Sequence, residues 1–234
     1  MKLYELAYIC SIYEGVAQFD VTYLAFLDET TGGLDFSEPS HRHALLEWLN
    51  KWGCRQFAIG YHELASESIL GWARQWGPEL PDRLATLDRL SDEDVQRAGE
   101  AYTDLSGRLA SRRTREGKTY DVQVGPTGAA KIMFAARPRA FPPWDDAIRQ
   151  KRGYDGSQRS YCKYLVEVRE QVQQLCIEGA ELGISAEDIP CRVGRPRSTL
   201  PKLIDEYNWV TLTRGITPPK PHEIAEWYRW SSQH

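Results

Sequence analysis

Two adjacent acids, Asp145 and Asp146, stand directly after Pro142-Pro143-Trp144 and open a helical pattern, Ala147-Ile148-Arg149. That is the place of a helix N-cap, where Asp is favoured, so capping accounts for one carboxylate. It requires neither the second acid nor a tryptophan before the pair. A carboxylate not spent on capping stabilises positive charge developing on a neighbouring carbon and orients or deprotonates water. Upstream, the turn Gly125-Pro126-Thr127-Gly128 leads into an apolar helix. The first N–H groups of such a helix lack intrahelical partners and, with the positive end of the helix dipole, form a seat for phosphate. Carboxylate chemistry and phosphate binding thus fall in one stretch, 122–149.

Other chemistries find little support. The five cysteines, Cys10, Cys54, Cys162, Cys176 and Cys191, are odd in number and scattered, with no CxxC pair. A disulfide framework, structural zinc and iron–sulfur are disfavoured, and buried reduced thiols are expected. His41 and His43 flank Arg42 at a spacing that does not share a helical face. No P-loop, dinucleotide fingerprint or nucleophile elbow occurs. Neither a metal nor a cofactor is expected.

The elements that must hold the acids read as mainly helical. Pro39 starts a helix carrying Leu45, Leu46, Trp48, Leu49 and Trp52, and Gly53 ends it. Ser91 and Asp94 form a capping box before Val95, Ala98, Tyr102, Leu105 and Leu109. A long stripe follows at Tyr161, Leu165, Val168, Val172 and Leu175. Ser198 and Pro201 open a helix with Leu203 and Ile204, and a last helix after Pro218-Pro219 carries Ile224 and Trp227. Only 119–124, where Tyr120, Val122 and Val124 alternate, reads as a strand. Loops are expected at 125–128, 138–143 and 215–221. Residues 1–234 are expected to form a single compact unit.

Length and charge narrow the class. The 234 residues are 41% hydrophobic, too apolar for a disordered chain. No stretch reaches the length of a membrane span, and the early acids Glu5, Glu14 and Asp20 argue against a signal peptide. A cytoplasmic protein without a membrane partner is expected. The net charge of −4 speaks against nucleic acid only as an average. Between Arg108 and Lys163 thirteen basic residues face five acids, a local +8; the remainder holds 16 basic and 28 acidic residues, or −12. One phosphate-facing surface on an acidic body is therefore expected, as is a second basic run at Arg192, Arg195, Arg197 and Lys202.

The segment Asp145-Asp146-Ala147-Ile148, with Gly125 twenty residues before Asp145 and an apolar helix between, resembles the helix-hairpin-helix (HhH-GPD) DNA glycosylase superfamily. In that family a glycine hairpin grips a DNA phosphate and an essential Asp begins a later helix. The resemblance covers about 40 residues. It implies a helix-hairpin-helix fold, Asp145 as the catalytic carboxylate, Asp146 as the cap or a supporting group, and a DNA face including Gly125, Thr127, Gly128, Lys131 and Arg149. It also implies a base pocket of Trp144, Asn50 and Trp52, and a DNA-probing loop in which Arg55 or Gln56 fills the vacated stack.

Two departures shape the expected activity. Gln123-Val124-Gly125 makes the hairpin degenerate. Where lyase-active members carry a nucleophilic lysine, this chain has Thr127, which cannot form a Schiff base. Lys131, one turn on, is expected to meet phosphate or solvate its helix. A monofunctional, monomeric glycosylase acting on double-stranded DNA is expected: a base is flipped, its N-glycosidic bond hydrolysed, and an abasic site left uncut. The small stand-alone size resembles bacterial members, some of which remove glucosylated hydroxymethylcytosine from phage DNA in antiviral defence. A non-catalytic DNA-binding or interaction protein on the same scaffold is the alternative.

Overall fold

The computed structural model describes residues 1–16 and 19–232, and the chain is mainly helical. In order the elements are α1 (Leu3–Val16), α2 (Phe19–Glu29), α3 (Pro39–Lys51), α4 (His62–Trp76) and α5 (Asp92–Gly107). A hairpin of β1 (Leu109–Arg115) and β2 (Lys118–Gln123) follows. Then come α6 (Gly125–Ala136), α7 (Asp146–Lys151), α8 (Gln158–Glu181), α9 (Ile189–Arg192), α10 (Leu200–Asn208) and α11 (Pro221–Ser231). A π-helical turn, Trp209–Thr213, extends α10.

α6 is the central helix. Every residue from Gly128 to Ala136 is buried, because the run is apolar around its whole circumference and packs against α3 and α5. The one charged residue in that run is Lys131. α8 buries its whole predicted stripe, Tyr161, Leu165, Val168, Val172 and Leu175, between α5 and α10. Each such side chain contributes about 1.5–3 kcal/mol. The predicted capping box closes the start of α5: Ser91 Oγ accepts from Asp94 N at 3.1 Å while Asp94 Oδ2 accepts from Ser91 N at 2.8 Å.

Several boundaries differ from the sequence reading. α5 ends at Gly107, so Leu109 belongs to β1 rather than to the helix. The predicted strand is β2, but its partner β1, with sequence LASRRTR, lacks the apolar alternation that marks a strand. Its pairing is set instead by the turn Glu116-Gly117, both at positive φ (53° and 74°), which matches the twist of antiparallel strands. The turn expected at 125–128 is already helical, with Gly125 at φ 68° marking the sharp entry into α6. Thr199, not Ser198, precedes α10, and its hydroxyl donates to Pro138 O at 2.6 Å. α11 buries nothing: Trp227 is exposed rather than packed on a core face. Cys10, Cys54 and Cys162 are buried, but Cys191 is exposed.

Candidate functional site

Lys131 is buried, its side chain 4% exposed, so its charge needs a partner inside the protein. Nζ lies 3.1 Å from Asp145 Oδ1 and donates to Trp52 O at 2.8 Å. Burial pulls the Lys131 pKa down, but Cys54 and then Asp145, both facing it, outweigh burial and hold the group above its ordinary value. The Cys54 thiol nearby is pushed up by burial to about 11 and is neutral near neutral pH. Asp145 is the N-cap residue of α7, yet its side chain makes no capping hydrogen bond. Its carboxylate turns toward Lys131 instead. Asp146, first residue of α7, accepts from Arg149 and from Gln150 Nε2. It is therefore neither the N-cap nor in the pocket.

Asp145 and Lys131 open into a small pocket with Tyr13, Trp52, Pro143, Asp205 and Trp209. Its volume, about 80 Å3, holds a few waters. Three aromatic rings from α1, the C-terminal end of α3 and the π-helical turn wall it. Both Lys131 Nζ and Lys202 Nζ lie 5.3 Å from the Trp52 ring centroid, and Lys202 Nζ is 4.8 Å from that of Tyr13. Behind the rings Lys202 Nζ meets Glu206 Oε1 at 2.7 Å and Asp20 Oδ1 at 3.4 Å. Arg195 also pairs with both of those acids.

Asp205 is the exception in this network. No hydrogen bond or ion pair joins its side chain to any described residue, and it faces the pocket. Burial pushes its carboxyl up to about 7; Lys202 pulls the other way, and Asp145 reinforces the rise.

The hairpin separates its charges by face. Residues paired across the strands share a face, so Arg113 (opposite Tyr120) and Arg115 (opposite Lys118) stand together with both partners. The other face is neutralised: Arg112 Nε meets Asp121 Oδ1 at 3.1 Å, and Thr114 and Thr119 share a hydrogen bond at 3.2 Å. The cationic face runs back to the loop after α3. Arg113 Nη2 donates to Arg55 O at 3.3 Å, and Ser111 Oγ donates to Gln56 O at 2.6 Å. Trp52, at the start of that loop, walls the pocket, so hairpin and pocket share one connection.

Of the residues singled out from sequence, Asp145, Trp52 and Lys131 come together. Lys131 is corrected from a phosphate contact or solvated lysine to a buried partner of Asp145. Trp144 is no pocket residue: it is fully buried and stacks on Tyr164 at 5.1 Å, since the aromatics of α5 and α8 surround it. Asn50 turns away to share a 3.0 Å hydrogen bond with His62 Nε2. Gln56 does not project as a probe; Nε2 donates to Val124 O at 2.7 Å and covers Gly128, where an added Cβ would lie 2.5 Å from it. The first turn of α6 is thereby covered at Gly128, which takes that residue out of the expected phosphate seat, while nothing lies against Gly125. Arg149 is engaged by Asp146, by Thr127 Oγ1 at 3.3 Å and by the Trp144 ring. Arg55 remains exposed. Most of the second basic run forms no free surface: Arg195 and Lys202 lie in the ion network and Arg197 pairs with Asp28, while Arg192 is exposed.

The sequence reading missed Tyr13, Asp205 and Trp209. Their pattern carries no motif, because they come from opposite ends of the chain. Among the described residues no group of His, Cys, Asp and Glu could hold a metal, and no helix is long and apolar enough to cross a membrane. No protein-family model matches the chain, and neither a curated protein nor a solved structure matches it.

Proposed function

We propose that the protein is a monofunctional DNA glycosylase with Asp145 as its central carboxylate. The observation that carries this reading is the Asp145 side chain: it begins a helix without capping it, and it enters an aromatic-walled pocket instead. N-glycosidic cleavage builds oxocarbenium character on the sugar, which a fixed carboxylate stabilises while it orients the attacking water. Lys131 holds that carboxylate in place from inside the core. Tyr13, Trp52 and Trp209 offer ring faces to a base taken out of the stack. The hairpin's cationic face, with Arg55 beside it, supplies the contact to double-stranded DNA; a two-stranded ribbon is narrow enough to enter a major groove.

In this reading the ribbon between α5 and α6 takes over the DNA contact expected of the glycine hairpin. The pocket is smaller than a nucleobase, so entry requires Trp209 or Tyr13 to move. Trp209 begins a π-helical turn, an element found often at functional sites. The test is abasic-site formation in duplex DNA by wild type and Asp145→Asn. Wild type should generate aldehydic sites in an intact strand, and the variant none while still binding DNA.

The small size of the pocket favours a second reading, a DNA-binding protein without turnover. It predicts that Asp145→Asn changes stability and leaves every DNA base in place.

A further inference from the structure

We infer that Asp205 is a second catalytic residue, the acid that protonates the base as it leaves; this rests on the base-excising reading above. The geometry singles it out. Each of the other three acids around the pocket is held by a cation: Asp145 by Lys131, Asp20 by Arg195 and Lys202, and Glu206 by the same two. Asp205 has no such partner and lines the same small pocket as Asp145. Its position on α10, three residues after Lys202 and one before Glu206, places it at the pocket end of the network rather than within it.

The charge balance agrees. With Asp205 protonated, Asp20, Asp145 and Glu206 face Lys131, Arg195 and Lys202, and the buried group is neutral. Ionising Asp205 would add a charge with no cation paired to it, and burial holds its carboxyl up to about 7. Two carboxyls of unequal environment in one pocket, one paired and one not, form an acid–base couple. In the reaction the C1′–N bond breaks and its electron pair leaves with the base. Asp205 transfers its proton to that base. Water bonds to C1′ and gives a proton to Asp145, and solvent returns that proton to Asp205. The sum is addition of one water across the glycosidic bond. The substrate class implied is a base that is a poor leaving group as an anion and needs protonation.

The groups facing Asp205 are Lys202 and Glu206 on its own helix, Lys131 from α6, Asp145 at the N-cap of α7, Tyr13 from α1 and Tyr164 from α8. The test is single-turnover base release across pH, using phage-type DNA containing glucosylated hydroxymethylcytosine and duplexes containing deoxyuridine or alkylated bases. Wild type should lose rate as pH rises through about 7. Asp205→Asn, a neutral side chain for a neutral one, should keep the fold, lose about a hundred-fold in rate and lose that alkaline limb. Asp205→Glu should recover part of both. An Asp205→Asn protein with the wild-type rate, or with a slower rate and the same alkaline limb, overturns the assignment while leaving the glycosylase reading intact. Wild type that releases no base from any of these DNAs removes the reading and this inference together.

Discussion

Lys131 and Asp145 form an unequal pair: the ammonium side chain is 4% exposed and the carboxylate 38%. The lysine therefore depends on the acid far more than the acid depends on the lysine. Removing the acid leaves a buried charge with no ion-pair partner, held by Trp52 O and the Trp52 ring, whereas removing the charge leaves a carboxylate that water can reach. Asp145→Ala should cost about 3 kcal/mol, and Lys131→Met about 1 kcal/mol or less. Urea unfolding of the two variants checks the order; equal costs would mean that the pair is not built this way.

The same pairing bears on lyase chemistry. A lysine held protonated is a poor amine nucleophile, and Lys131 is the cation nearest the candidate centre. Borohydride added during reaction with abasic duplex should trap no protein–DNA adduct, and the strand should break only on treatment with alkali. An adduct that disappears in Lys131→Arg would reverse this conclusion.

DNA affinity should depend on one face of the ribbon. Replacing Arg113 or Lys118 by Ala should each lower the slope of log affinity against log salt by about 0.9. Arg112→Ala and Arg115→Ala should change it less, because Asp121 and Glu116 already pair with those guanidiniums. Fluorescence anisotropy with a short duplex at several salt concentrations separates the two pairs of variants; equal slopes for all four variants would rule out the ribbon as the reading face.

Asp205 also makes stability depend on pH. Its carboxyl is raised from the ordinary 3.8 to about 7 by burial, so the folded state holds this proton more tightly than the unfolded state does. The associated stability is complete below the ordinary value and is lost as pH rises toward about 7. Asp205→Asn cannot ionise, so its stability relative to wild type should improve between about pH 4 and about pH 7. Chemical denaturation of both proteins at several pH values measures the difference; a constant offset would mean that Asp205 is ionised throughout.

Periodicity made the helices that face the core legible: the stripe on α8 and the Ser91–Asp94 box on α5 lie where 3.6-residue spacing and capping chemistry put them. β1 was not legible, because Arg112, Arg113 and Arg115 are exposed and only the turn at Glu116-Gly117 specifies the pairing. Within the site, Asp145 and Trp52 could be picked out by residue type. The burial of Lys131 has a signal in the sequence, since the run GAAKIMFAA is apolar on all sides of that lysine. Tyr13, Asp205 and Trp209 had none, since only the packing of α1 and α10 brings them to Asp145. Trp144 illustrates the converse: adjacency to the acid in sequence puts it on the opposite, core-facing side of the chain.

The most direct measurement is mass analysis of the free bases released when genomic DNA carrying natural, damaged and phage-type modified bases is incubated with the protein. The account predicts that wild type releases at least one base and leaves abasic sites in unbroken strands, while Asp145→Asn releases none and still binds the DNA. Undiminished release by Asp145→Asn, or no base released from any DNA by wild type, would contradict it.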